Sequence, residues 1–414
     1  MSSPERGSAT SLSAGAARGR DAVGDVVVSY DFFPQIGGAH LWLYEVYRRW
    51  RTPAQLLTVR YSTSGDAAER QREFDRLDHG ALQIVRDAAP VGEINLLDVR
   101  CLAGFCSQVN AIRRLVRDRN VRLHTLRAFP EGFAAYLYCK RHPYTSRLIT
   151  YAHGEEVLIA QTSLQLKLMA RRVYAAADLV IANSENTRRI VLELCPGARV
   201  TCVHPGVDAP AFIRDAREAA AFRARWNWPG DTVVVCTLAR MEPRKNHAAV
   251  IRAVGELRKQ GVPIAHVCGS EGPQQAQLTQ IAAELGVAEW VRFTGRVADR
   301  DKPLIYCAAD LYAMPSIRVG EMIEGFGIVF LEAAAAGRPS VAGNSGGQAE
   351  AVLDGRTGIV VDGTQADQVR AALERLARDP ALRAEMGRAG RAWAARHDWP
   401  EVVRNIEAEI GRLT

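Results

Sequence analysis

Two glutamates eight positions apart, Glu324 and Glu332, bracket Gly325–Phe326–Gly327 in the stretch EMIEGFGIVFLEAAAAG. The glycines are placed to begin a helix. Gly337 ends it as the residue just past the last turn, and Pro339 follows. Glu324 then stands in the loop ahead of the helix. Glu332 lies roughly two turns in, between Leu331 and Ala333, and is expected to be largely buried. A buried carboxylate is costly unless it is hydrogen-bonded. Sugar hydroxyls would supply that pairing; a buried arginine is the structural alternative.

Three other places carry candidate chemistry. In LARMEPRKNHAAVIRA, Arg240 and Lys245 sit between a strand and a helix, with Asn246 as the expected N-cap. Two cations beside a helix N-terminus suit a pyrophosphate, Arg through a forked contact and Lys as a point charge; solvated surface charges are the bland reading. In YAHGEEV, His153 follows an apolar strand and precedes Gly154, either as a ligand contact or as a structural histidine. In FPQIGGAHLWL, Gly37 and Gly38 open the first helix. They serve either a close backbone approach to a ligand or a plain turn, and they are not a G-x-G-x-x-G fingerprint. Asp299–Arg300–Asp301 has the D-x-D pattern of a metal site, but it precedes the helix-like KPLIYCAAD, so helix capping explains it better and no metal is expected.

These residues need a scaffold that gathers the ends of strands. Short β-branched runs (26–30, 148–152, 178–183) alternate with amphipathic stretches (40–50, 163–177). The series restarts at 232–240, 263–270, 290–295, 310–316 and 339–343. Such alternation implies parallel sheets with right-handed crossovers. A dozen strands exceed one comfortable sheet, since open sheets rarely pass about ten. Two doubly wound domains follow, with a seam near VHPGVDAPAF (203–212), and ligands belong in the cleft at the strands' carboxyl ends. Residues 1–24, rich in Ser, Ala, Gly and Arg, are expected to be a disordered leader. The first domain is placed at 25–205, the second at 206–396, and a final helix at 397–414 is expected to pack back on the first domain.

Composition narrows the class. The chain has 414 residues, 48% apolar and 24% charged, as soluble globular proteins do. No run approaches the roughly 18 uninterrupted apolar residues of a membrane span. The eight cysteines form no C-x-x-C pair and the histidines no H-E-x-x-H, so buried free thiols in a reducing cytoplasm are expected. Residues 1–205 hold 27 Lys/Arg against 20 Asp/Glu, and residues 206–414 hold 26 against 26, so the whole excess of +7 lies in the first half. Part of it is AIRRLVRDRNVR, with Arg113, Arg114, Arg117 and Arg119 at helical spacing: a solvated face, or a surface for anionic lipid or an acidic acceptor. A nucleic-acid role is not indicated, because few aromatics are interleaved and no binding module is visible.

Together the motifs resemble the retaining glycosyltransferases of family four, which have the GT-B fold. The likeness is strongest over 232–362: Glu324 and Glu332 fit that family's E-x7-E and Arg240 with Lys245 its R-x4-K, while CGSEGPQ, VRFTGRV, CAADLYAMPS and SGGQAEAVLDGRTGIVV fit its consecutive blocks. The resemblance implies an α/β, GT-B architecture of two Rossmann-like domains, the first for the acceptor and the second for the nucleotide-sugar. It implies that Arg240 and Lys245 hold the donor diphosphate, Glu324 the transferred sugar and Glu332 the ribose. It also implies that His153 lies beside the reacting sugar and that the backbone at Phe326 and Gly327, with Gly269, Arg296 and Val297, lines the donor. Gly37 and Gly38 would line the cleft near phosphates or acceptor. Members generally need no metal or cofactor.

His204, where many members carry Asn, and Glu155 depart from the pattern. The stretch SIRVGEMIEGFG is similar to mannosyl- and hexosyltransferases acting on lipid or polysaccharide, which leans toward GDP-mannose or a UDP-hexose as donor and a hydroxyl acceptor. The expected protein is cytoplasmic, monomeric or homodimeric, and peripheral at the inner membrane face if the basic half meets anionic lipid. A nucleotide-sugar 2-epimerase or phosphorylase on the same fold, or a non-catalytic nucleotide-sugar-binding module, are the competing readings.

Overall fold

The computed structural model describes residues 24–413 apart from 34–36, 61–64, 90, 92–93, 96–97, 118 and 144–145. The leader expected over 1–24 lies outside the described residues except for Gly24, which already belongs to the first strand.

Among the described residues, thirteen strands form two sheets. The first contains β1 (Gly24–Val28), β2 (Ala54–Val59), β3 (Leu82–Ala88), β4 (Val121–Thr125), β5 (Ser146–Ala152), β6 (Leu179–Ala182) and β7 (Val200–Cys202), in the order 3-2-1-4-5-6-7. The second contains β8 (Val233–Leu238), β9 (Ile264–Gly269), β10 (Val291–Phe293), β11 (Leu311–Met314), β12 (Ser340–Gly343) and β13 (Gly358–Val361), in the order 10-9-8-11-12-13. Every pairing between these strands is parallel. Both sheets reverse direction beside their own first strand, at β1/β4 and β8/β11. Open α/β sheets bind ligands at such switch points.

The strands are apolar on both faces because helices cover both. In β1, Val26 and Val28 enter one core while Val27 enters the other; in β8, Val234 and Cys236 face one way and Val233 and Val235 the other. β4 reads as polar, VRLHT, yet is central. Its Arg122 forks onto the buried Asp25 at 2.7 and 2.8 Å, and His124 Nε2 meets the same carboxylate at 2.9 Å. Asp25 also accepts from Trp50 Nε1 at 2.9 Å, so the charge is fully engaged.

The chain crosses between sheets twice, side by side. The Val207 N–H donates to His397 O at 2.8 Å, and Val207 bridges Asp398. The helix Trp399–Gly411 then sets Trp399, Val402, Val403, Ile406 and Ile410 among Trp42, Val46 and Trp50 of the first domain. Of the basic run, Arg113 and Arg114 end the helix Val99–Val116, but Arg117 is a left-handed cap and Arg119 turns back onto the Leu115 and Val116 carbonyls. The run is therefore a helix end, not one face of a longer helix, and Arg114 is paired with Asp87 at 2.6 Å.

Candidate active site

The loop after β11 meets the loop after β5. A Cβ on Gly325 would lie 2.1 Å from His153 O and 2.7 Å from Asn183 Nδ2, so only glycine allows the two backbones this close. Gly327 caps the helix Ile328–Ala335 with φ +92°, a left-handed conformation that a side chain resists. At the other end Gly337, at φ +73°, closes the helix, with Arg338 N–H returning to Ala333 O at 2.8 Å. From the facing domain, Gly37 caps the helix Gly38–Tyr47, and a Cβ on Gly38 would approach Ile328 Cδ1 at 4.0 Å. The Gly-Gly turn and the start of the Ile328 helix thus face each other across the cleft.

Glu324 is held by two cations. Lys245 Nζ pairs with Glu324 Oε2, and Arg244 Nη1 reaches the same oxygen at 3.1 Å. The three side chains are only 13%, 12% and 16% exposed. Burial alone would push the Glu324 carboxyl up, but Lys245 and Arg244 outweigh it and hold it below the usual range. Arg240, in contrast, is exposed and pairs with Glu242 at 3.0 Å. The structure therefore joins Lys245 to Glu324 but not Arg240. Arg244, adjacent to Lys245 in sequence, occupies the inner position, whereas the R-x4-K spacing points to Arg240. Asn246 takes the N-cap position without a side-chain cap. Its amide instead donates to Pro315 O at 3.1 Å and Gly363 O at 2.8 Å, tying neighbouring loops together.

Glu332 sits apart from that cluster. It is 7% exposed and accepts from Tyr306 OH at 2.8 Å, so its protein partner is a tyrosine and not an arginine. Burial pushes its carboxyl up, opposed by Lys302 and Tyr306. The two glutamates therefore occupy separate electrostatic environments.

His153 Nε2 donates to Leu126 O at 3.0 Å, which leaves Nδ1 as the unprotonated nitrogen. Burial, with Arg127 nearby, lowers its pKa to about 3, so the ring is neutral near pH 7. Its backbone N–H is fixed by the Glu156 carboxylate at 2.6 Å. Burial raises Glu156 to about 7. Glu155, next to it, is raised by burial and feels Arg244, Glu242, Glu324 and Lys245 across the cleft. Elsewhere in the first domain, Asp31 accepts from His40 Nε2 at 3.1 Å and from Arg127, whose Nε meets Glu131 at 3.3 Å. None of Arg244, Glu156 or this last group stands out in the sequence, because their significance is their meeting.

The remaining expected donor residues are more dispersed. Phe326 is core, stacked on His204 at 5.0 Å, so only its backbone is available. Gly269 ends β9 packed against Leu238 and Val297, while Arg296 is exposed after β10. In the D-x-D, Asp301 is at a helix N-cap position but its side chain caps nothing; Asp299 pairs with Lys302 at 2.6 Å.

A family model described as Glycosyltransferase Family 4 matches residues 36–209, and one described as Glycosyl transferases group 1 matches residues 218–393. A curated Mycobacterium tuberculosis protein, described as GDP-mannose-dependent alpha-(1-6)-phosphatidylinositol monomannoside mannosyltransferase, is 38% identical over 265 residues, 63% of this chain and 68% of that protein. The chain belongs to the family-four glycosyltransferases. A Mycolicibacterium smegmatis protein of the same description is 41% identical over 256 residues, 60% of this chain and 65% of its own length. The aligned stretch thus spans about two thirds of these relatives. Among solved structures, an Anabaena protein, HepE, crystallised with UDP superposes with TM-score 0.77 at 19% identity, covering 94% of this chain and all of that one. Sucrose-phosphate synthase from Thermosynechococcus elongatus superposes with TM-score 0.74 at 20% identity, over 95% and 99%. These confirm the GT-B fold.

Within this family-four chain the block SGGQAEAV has a visible task. Gly347 N–H donates to Glu324 O at 2.9 Å, so the block carries the backbone of the glutamate loop. Further along it, Glu350 crosses to the first domain. It accepts from the backbone N–H groups of Glu185 and Asn186 at 2.6 and 2.9 Å and from His204 Nε2 at 2.9 Å.

Proposed function

We propose that this chain transfers a hexose, mannose in the first instance, from a nucleoside-diphosphate sugar to a hydroxyl of a lipid or glycan acceptor, with retention at the anomeric carbon and without a metal or cofactor. In this reading residues 206–396 bind the donor and residues 25–205 the acceptor, with 397–414 tying the two together. The observation that carries it is the cluster of Arg244, Lys245 and Glu324 ahead of the Ile328 helix, closed against His153 and Glu155 of the facing domain. GDP-mannose is the first donor to test because the relatives at 38–41% identity are described as dependent on it.

The departing diphosphate gains a negative charge as the sugar–oxygen bond breaks, so fixed positive charge at its oxygens is the largest catalytic contribution. Lys245 and Arg244 supply it on leaving Glu324, and Arg240 swings from Glu242 to join them. Glu324, released from its cations, accepts from the sugar hydroxyls. Glu332 and the backbone at Phe326 and Gly327 hold ribose and phosphate, with Gly269, Arg296 and Val297 flanking. His153 offers its neutral Nδ1 to a sugar hydroxyl. The acceptor enters past Gly37, Gly38 and Glu155 on the face the diphosphate leaves, and the departing phosphate takes its proton. A double-displacement nucleophile of the glycosidase kind is not required.

The test is release of nucleoside diphosphate from GDP-mannose and UDP-glucose, with and without phosphoinositide or polyprenyl acceptors, and the product's anomeric configuration by NMR. Acceptor-dependent release with retained configuration is expected. Turnover without acceptor would instead indicate an epimerase. Loss of transfer in EDTA restored by Mg2+ would refute the metal-free reading. Lys245→Ala and Glu324→Ala should abolish transfer.

We also propose that the enzyme works at the cytoplasmic face of an anionic membrane. No described helix is long and apolar enough to cross one. Gln165, in the first turn of the helix Leu164–Ala176, donates to Ile94 O at 3.2 Å in the segment that leads to the helix Val99–Val116. The two helices expose Val99 (77%) and Leu164 (74%) in their first turns, and each exposes a further leucine, Leu102 and Leu168. Leu164→Asp should reduce co-sedimentation with phosphatidylserine vesicles; unchanged binding, or binding indifferent to salt, would refute the assignment.

A further inference from the structure

The latch around Glu350 contains a second chemistry. Cys202 ends β7, and His204 follows two residues later in the crossing to the second domain. In extended chain, residues two apart point the same way. Val203 between them is buried in the first-domain core, so Cys202 and His204 face outward together, toward Glu350 of the second domain. One ligand atom from each of Cys202 Sγ, His204 and Glu350 lies within 4.8 Å of the other two. Metal–ligand bonds of about 2.0–2.3 Å around a tetrahedral ion separate its ligand atoms by roughly 3.3–3.8 Å, so small side-chain movements close the set.

We propose that Cys202, His204 and Glu350 form a binding site for a zinc-class divalent ion that staples the two domains together. Thiolate, imidazole and carboxylate are the donor set such ions favour over magnesium or calcium. The site is half-buried, with the His204 and Glu350 side chains 30% and 22% exposed, so an ion has an entry path and leaves a position open to water. Its surroundings suit a cation: Glu185 and Glu350 both lie against the Cys202 thiol, and Arg188 is the cation paired with Glu185, at 3.2 Å. In the ion's absence a single proton joins His204 Nε2 to Glu350. On binding, the neutral imidazole moves its one proton from Nε2 to Nδ1 by exchange with solvent, which frees Nε2 for the metal; the thiol gives its proton to solvent, and the metal–sulfur, metal–nitrogen and metal–oxygen bonds replace the hydrogen bond.

A second trio of this composition, His247, His266 and Cys268, shows why the first is singled out. Those three are buried in the second domain, where His266 is engaged by Thr237 at 2.8 Å and His247 by Ala239 O at 3.2 Å. No domain boundary and no solvent path meet there.

The consequence is a coupling. Two ligands come from the first domain and the crossing segment, and one from the short helix Gln348–Ala351 of the second domain, beside the Glu324 loop. The set exists only when the domains are closed, so an ion binds the closed form preferentially and shifts the chain toward it. This staple is separate from the transfer chemistry proposed above and stands or falls without it.

The test is anaerobic Co2+ titration of the full chain, followed by near-ultraviolet thiolate-to-cobalt absorption and visible ligand-field bands. One Co2+ per chain, displaced by Zn2+, is expected. Cys202→Ser should lose the thiolate band, and Glu350→Gln should weaken Co2+ at least tenfold. Circular dichroism of the metal-free variants checks that both are folded. A thiolate band that survives Cys202→Ser would place the ion on another cysteine and overturn the proposal. So would a Co2+ affinity indifferent to Glu350→Gln, because the site would not then span the domains, or the absence of any band in the parent protein. X-ray scattering provides the second readout: Zn2+ should contract the parent but not Cys202→Ser, and equal responses would overturn the staple.

Discussion

Replacing Glu324 with glutamine removes a charge and little volume, which makes it a clean probe of the cation cluster. Lys245 and Arg244 lose their shared partner while staying 12% and 16% exposed. Breaking a buried pair by removing one member costs about 3–5 kcal/mol, because the stranded charge keeps its desolvation penalty. For a domain of this size each kcal/mol moves Tm by about 2–4 °C, so the second domain should melt about 6–20 °C lower. The loss should be partly repaired by GDP or UDP, whose phosphates replace the missing anion. The nucleotide-induced shift should therefore be larger in Glu324→Gln than in the parent. Glu321→Gln is the control, since Glu321 pairs with an exposed Arg318 at 2.7 Å and surface pairs are worth about 0–1 kcal/mol. Scanning fluorimetry at matched ionic strength, with and without nucleotide, measures both effects. If Glu324→Gln melts with Glu321→Gln and responds to nucleotide no more than the parent, the cluster is not a buried charge trap and the reasoning fails. The pH dependence has a fixed sign. The folded carboxyl lies below its ordinary 4.5, so its stabilisation is present above 4.5 and fades as pH falls through the folded value.

Three further outcomes are expected. Tyr306→Phe removes the hydrogen bond to buried Glu332 and should cost about 1.5–3 kcal/mol in denaturant unfolding, while weakening nucleotide binding by calorimetry; unchanged values would dissociate Glu332 from the donor. Gly325→Ala puts a methyl 2.1 Å from His153 O, so the domains must part; scattering should show a larger radius of gyration and kinetics a raised KM, and an unchanged radius would refute the contact. His153, lowered to about 3 by burial, should keep a neutral ring from pH 8 down to about pH 4 in an NMR titration. Its folded value lies below its unfolded one, so its contribution to stability is full above about 6.5 and declines as pH falls toward 3; a ring titrating near 6.5 would refute the buried assignment.

The fold was legible where patterning is strong. VVVCTL, IAHVCG and LITYA are apolar on successive residues because both faces of a parallel sheet are covered, and each is a strand. β4 was illegible, since Arg122 and His124 read as surface residues until Asp25 arrives from β1 to satisfy them. The helix around Glu332 could be read to its last turn, because Gly327 and Gly337 mark ends whose backbone conformations favour glycine.

The sequence by itself determined the two-domain α/β plan, the family and the loops that carry the chemistry, because hydrophobic period, glycine punctuation and motif spacing are local quantities. Which cation of the R-x4-K loop turns inward was decided only in three dimensions. Arg240 and Arg244 are chemically equivalent in the chain, and the position of Glu324, about 80 residues away, selects Arg244. The same holds for Glu332, whose partner is Tyr306, and for Cys202, His204 and Glu350, which converge only when one domain folds against the other. Electrostatic pairing and ligand sets depend on distances of a few ångströms between residues far apart along the chain, and the packing of the two sheets sets those distances.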